Sequence, residues 1–175
     1  MDIRVLLAKY LTCIIATIVF AQANITIKEN TTWSNDLTLS ESVNILAGAT
    51  LTINKGVNIS IEFVDLDNDD IGDIEISVAG AIHVVGTQEE VVSIKPVHNS
   101  SNKNHWRGIA IHESQDISRI EFLNISNASK GLDIKSKLSA RGLVIKNSGQ
   151  AGITIESSRS DSIDFNDIEI ISSEG

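Results

Sequence analysis

Along residues 37–175 the hydrophobic positions fall into short runs in which aliphatic and polar side chains alternate. A period of two puts every second side chain on the same face, so each run reads as a strand with one face turned inward. The runs themselves recur. Residues 108–114 (GIAIHES), 131–137 (GLDIKSK) and 152–158 (GITIESS) share one pattern: glycine, an aliphatic residue, any residue, isoleucine, then polar residues. Their glycines are 23 and 21 residues apart, and Gly175 falls another 23 on. Between them lie second strands at 122–125, 143–145 and 168–170, each followed by an Asn/Ser-rich turn. Third short strands fall at 117–120 and 162–165, and helical spacing is absent after residue 23.

Repetition at this length, with two or three short strands per repeat, predicts an all-β solenoid: a parallel β-helix with coils of about 21–23 residues. One coil cannot bury its own inward face, whereas stacked coils form a continuous aliphatic column. β-Branched side chains suit such a column because they pack well on a pleated surface. Glycine is expected at sharp corners and Asn in left-handed turns. A β-sandwich would show longer strands, more aromatics and hairpin dipeptides, and the chain holds neither Asn-Gly nor Asp-Gly.

The first half carries a more specific likeness. Residues 49–57 (ATLTINKGV), 78–87 (VAGAIHVVGT) and 105–111 (HWRGIAI) resemble the opening coils of secreted bacterial right-handed parallel β-helix repeat proteins, the pectate-lyase-like solenoids. Lys55 stands where that pattern has proline. The resemblance covers about residues 37–175 and implies a right-handed coil in a secreted or cell-surface setting. Proteins sharing it include polysaccharide lyases and adhesins, so it leaves the activity open. Residues 24–36, with Ile25, Ile27 and Trp33, are expected to cap the first coil, because an open end would expose apolar surface and strand edges. No terminating cap is visible before Gly175, which predicts that the chain is the N-terminal piece of a longer protein.

Composition adds an address. Residues 1–23 read as a signal peptide: Arg4 and Lys9 precede an apolar run from Tyr10 to Phe20, and Ala21-Gln22-Ala23 fits the cleavage pattern. The run is short for a membrane span, so no membrane insertion is expected after cleavage. Cys13 is the one cysteine and lies inside the leader, so the mature core must hold without disulfides. Cleavage takes Arg4, Lys9 and Asp2 from 14 basic and 23 acidic residues, leaving 12 against 22. That balance argues against nucleic acid and anionic membranes as partners.

The densest candidate for chemistry is residues 65–73 (DLDNDDIGD). Asp65, Asp67, Asp69 and Asp73 could converge carboxylate oxygens on one hard cation, making calcium the candidate metal. Asp70 occupies the position where helix-loop-helix calcium loops carry glycine, and no bidentate Glu follows. The other reading is a solvated acidic turn. His83, His98, His105 and His112 lack metal-ligand spacing. Trp106 suits either a sugar platform or the core. Acid pairs such as Glu113 with Asp116, or Asp161 with Asp164, fit glycoside hydrolysis, but nothing singles one out. Lys135, Lys137, Arg141 and Lys146 stand outside any lyase motif, and no residue is assigned a catalytic role. Asn-x-Ser/Thr occurs at Asn24, Asn30, Asn58, Asn99, Asn124 and Asn127.

Two functions follow. One is a secreted or cell-surface solenoid serving structure, adhesion or carbohydrate binding, with a polysaccharide or surface glycan as partner. The other is the N-terminal part of a polysaccharide lyase or glycoside hydrolase whose active site lies beyond residue 175. Regular outward Thr rows, which an ice-binding solenoid needs, are lacking.

Overall fold

The computed structural model describes residues 24–156 and 163–172. Residues 1–23, expected to be a signal peptide, and Asp161, Ser162 and Gly175 lie outside the described residues. The protein is all-β, and every strand pairing among those residues is parallel.

The strands come in successive sets. The first set is β1 (Asn24–Ile27), β2 (Thr31–Trp33) and β3 (Leu37–Leu39). The second is β4 (Ser42–Ile45), β5 (Thr50–Asn54) and β6 (Asn58–Ile61), and the third β7 (Glu75–Val78), β8 (Ala81–Val85) and β9 (Val92–Pro96). The last three sets have two strands each: β10 (Trp106–Ile111) with β11 (Ser118–Ser126), β12 (Ala128–Ile134) with β13 (Leu138–Lys146), and β14 (Ala151–Ile155) with β15 (Ile163–Ile171). One sheet takes the first strand of every set, in the order β1-β4-β7-β10-β12-β14. The remaining strands form the second sheet. β11 joins its two branches, pairing β8 through its first half and β9 through its second. β13 and β15 then extend β11.

The long strand β11 merges the two short runs expected at 117–120 and 122–125. Phe122 bends it, with φ +48°, and Gly142 (φ +63°) and Asp167 (φ +58°) stand at the equivalent points of β13 and β15. Asn127 and Asn147 take the left-handed conformation after β11 and β13, as Asn allows. Gly131 and Gly152 lie inside strands, so the repeated glycines do not mark the corners. Asn24–Ile27 and Thr31–Trp33, in the segment expected to cap the first coil, are strands paired with β4 and β5.

Register makes the core. Leu37, Ile59, Ile94, Ile125, Ile145 and Ile170 stand in one line through five parallel pairings. Ile59, Ile94, Ile125 and Ile145 in that line are at most 1% exposed. Similar aliphatic lines run through the other strands, and parallel sheets need such burial on their inner faces. Trp106 adds the largest fully buried side chain, and its indole N–H donates to the Ser126 carbonyl at 3.0 Å.

Candidate functional site

The aspartate-rich loop, residues 62–73, leaves the core after β6 and returns at β7. Its own groups shape it. Asp65 accepts from the amides of Asp69 (3.3 Å) and Asp70 (3.0 Å), and Asp69 accepts from the amide of Ile71 (2.8 Å). Asp73 accepts from the Leu66 amide (2.8 Å) and from the Arg107 guanidinium (2.6 Å). Gly72 N–H donates to the Asn104 carbonyl (2.8 Å), tying the loop to the segment before β10. Asp65, Asp67 and Asp73 each offer a carboxylate oxygen within 4.8 Å of the others. Asp69 stands outside that trio and serves as the cap of Ile71. Burial raises the Asp67 carboxyl above its ordinary range, and the charges of Asp69, Asp73 and Asp65 raise it further. At Asp73 burial also pushes upward, but the Arg107 pair and the Leu66 amide outweigh it and the carboxyl sits low.

A second site lies on the outer face of the six-stranded sheet. Glu75 faces outward from β7, and Gly108 of β10 is its partner in register. The pairing of β10 with β12 runs Gly108 to Lys130 and then Ile109 to Leu132, so Gly131 is an extra residue, a bulge. Regular alternation puts residues three apart on opposite faces. The bulge lets Lys130 and Asp133 share the outer face, where they pair at 3.4 Å. Glu75, Arg107, Lys130, Asp133 and Gln150 surround a depression of about 230 Å³ over Gly108 and Ala110. Burial raises the Glu75 carboxyl, with Asp133 adding to the rise and His112, Arg107 and Lys130 opposing it. Beside the depression, the His112 ring and the Ser77 hydroxyl are 2.8 Å apart, and Lys135 pairs with Glu156 at 3.0 Å.

The third feature is a groove of about 480 Å³ where strands of the first sheet turn into the second. After β4 and β7 the turns are tight and small, and Ala47, Gly48 and Ala79 form a floor. The turns after β10 and β12 carry Glu113 to Asp116 and Lys135 to Lys137, which form the walls. Ser136 holds the two turns together: its hydroxyl accepts from the Ser114 amide (3.1 Å) and donates to the Ser114 carbonyl (3.2 Å). Lys137 donates to the Gln115 carbonyl at 3.4 Å. Four successive strand sets contribute, so at about 4.8 Å per parallel strand the groove runs roughly 14 Å along the stack.

The remaining candidates separate cleanly. Trp106 is fully buried and belongs to the core, not to a sugar platform. His105 is buried between the Ile61 carbonyl (3.1 Å) and the Ser100 hydroxyl (3.3 Å). Burial lowers its affinity for a second proton, against the bond to Ile61, so the ring is neutral at pH 7. His83 lies 3.2 Å from the Ile117 carbonyl, and His98 is exposed. Glu113 and Asp116 both line the groove; Asp164 is exposed on β15. Arg141 reaches Glu121 at 3.5 Å, and Lys146 is exposed. Asn127 is buried with its amide donating to the carbonyls of Ser100 and Asn102, which removes it as a glycan acceptor. Glu75, Arg107, Lys130 and Asp133 were not singled out by the sequence, since they meet only through register and a bulge. Among family models, curated proteins and solved structures, none matches the chain.

Proposed function

We propose that this chain is an exported right-handed parallel β-helix, and that it serves as a carbohydrate-binding or adhesive scaffold. Support for the architecture comes from the same order of strand columns recurring in each set, always with parallel pairing. Support for the hand comes from the general rule that a parallel crossover within one sheet is right-handed in about 98% of cases. The observation that carries the function is the groove across four strand sets. It follows the direction in which an extended polymer would meet successive rungs, and its walls supply donors and acceptors for hydroxyl groups. With 12 basic against 22 acidic residues after residue 23, the exported protein favours neutral glycans over polyuronates.

The test is binding to a panel of neutral, acidic and amino polysaccharides, with Ala79→Trp as the blocking variant. Ala79 faces the groove floor, so the indole is expected to weaken binding at least about ten-fold while thermal stability holds, surface changes being worth within about 0.5 kcal/mol. No binding to any polysaccharide, or equal binding by the variant, would refute the reading.

Calcium belongs to the same proposal as an ordering ion for residues 65–73, supported by the convergence of Asp65, Asp67 and Asp73. Three carboxylates supply only part of the six to eight oxygens calcium takes. Calorimetric titration is expected to show weak binding that Asp67→Asn removes. Absence of heat in the unmodified chain would end the idea.

A further inference from the structure

We propose that the depression over Gly108 and Ala110 is a binding site for a primary ammonium group on a ligand of single-ring size, an amino sugar, with Glu75 as its counter-charge. This site is separate from the groove and does not rest on the groove's function.

The argument begins with charge. Arg107 is committed to Asp73 (2.6 Å), Lys130 to Asp133 (3.4 Å) and Lys135 to Glu156 (3.0 Å), and the His112 ring is bonded to Ser77 (2.8 Å). Glu75 remains. Its carboxylate faces the depression half-buried, with neither a hydrogen bond nor an ion pair among the described residues. Taken together, Asp73, Glu75, Arg107, Lys130 and Asp133 carry one uncompensated negative charge. A carboxylate withdrawn from water without a partner is costly, and a cationic donor offsets that cost most fully.

Shape agrees. Directly above Glu75 in register stands Gly108, with φ +119°, where an added Cβ would overlap the Lys130 carbonyl oxygen. No side chain of β10 can therefore fill the space at that position. Ala110 continues the low floor, and the bulge at Gly131 lifts Lys130 and Asp133 into a wall. At about 230 Å³ the depression is below the 300–1,000 Å³ of drug-sized pockets, which suits one ring. Glu75 and the one unpartnered oxygen of Asp133 beside it are too few to replace the hydration shell of a hard divalent cation. An anion would meet the unpaired charge of Glu75. Ring hydroxyls can be met by Gln150 and by the paired charges at the rim.

The experiment is a backbone-amide NMR titration of the chain at pH 7 and low salt with glucosamine, N-acetylglucosamine, glucose and lysine amide. Glucosamine is expected to shift the amides around Glu75, Gly108 and Ala110 and to bind at least about ten-fold more tightly than N-acetylglucosamine or glucose. Lysine amide separates the sources of the ammonium group: binding as tight as glucosamine's would overturn the amino-sugar assignment. Glu75→Gln is expected to remove the response, and because it removes an uncompensated charge it should fold at least as well as the parent. Equal responses to glucosamine and its N-acetyl form, or an undiminished response in Glu75→Gln, would each overturn the site.

Discussion

Trp106→Ala is expected to cost about 3–5 kcal/mol, as large-to-small changes at buried aromatics do. The indole is 0% exposed at the start of β10, and Ala128 of the next strand set is its small partner in register. Truncation would open a cavity in a column whose neighbouring side chains are held by their own strands and cannot collapse into it. It would also leave the Ser126 carbonyl without its indole donor. Trp106→Phe keeps most of the apolar surface and loses that bond, so its cost should be smaller, about 1 kcal/mol for the hydrogen bond itself plus incomplete filling. Urea unfolding of both variants checks this, and a Trp106→Ala midpoint close to the parent's would show that the side chain does not fill the core.

Gly108→Ala should be nearly as severe although it adds a single methyl group, with an expected loss of about 3 kcal/mol from backbone strain and overlap. Two effects combine. A φ of +119° is a conformation that side-chain-bearing residues avoid, and the new Cβ would strike the backbone of β12. Relief requires the β10–β12 ladder to separate at the bulge, which would spread Lys130 and Asp133 away from Glu75. Gly152→Ala offers a contrast on the same repeat, because the first atoms its Cβ meets belong to the Ile170 side chain, which is 54% exposed. A smaller loss is expected there. If thermal unfolding found Gly108→Ala as stable as the parent, the tight approach of β10 to β12 would be refuted.

The all-β character and the parallel stacking were legible because short runs of alternating aliphatic and polar residues recur, most regularly in the segments opening at Gly108, Gly131 and Gly152, 23 and 21 residues apart. Ile94, Ile125 and Ile145 occupy equivalent inward positions although they lie 31 and 20 residues apart, so their exact register was not legible from spacing. The corners were less legible. Glycine was expected there, but Phe122 and Asp167 take the positive φ in two of three sets, and a bulky residue in that conformation has no composition signal. The acidic loop was visible as a run of carboxylates. That Asp69 turns back to cap Ile71 while Asp73 engages Arg107 was not, because Arg107 is 34 residues away in sequence. The Glu75 depression was hidden for a further reason: strict alternation assigns Lys130 and Asp133 to opposite faces. The one extra residue at Gly131 cancels that rule, and a bulge leaves no more trace in the sequence than a glycine.

The parallel register of the second sheet also separates inheritance of fold from choice of surface. Thr32, Thr52, His83, Arg119, Ser139 and Asp164 occupy one outward line while the inward lines stay aliphatic. Each outward residue has a fixed address, roughly 4.8 Å from the next along the stack. Rewriting one such address changes the chemistry displayed there and leaves the neighbouring addresses where they were. The molecule can thus be edited like a ruled page, one line at a time.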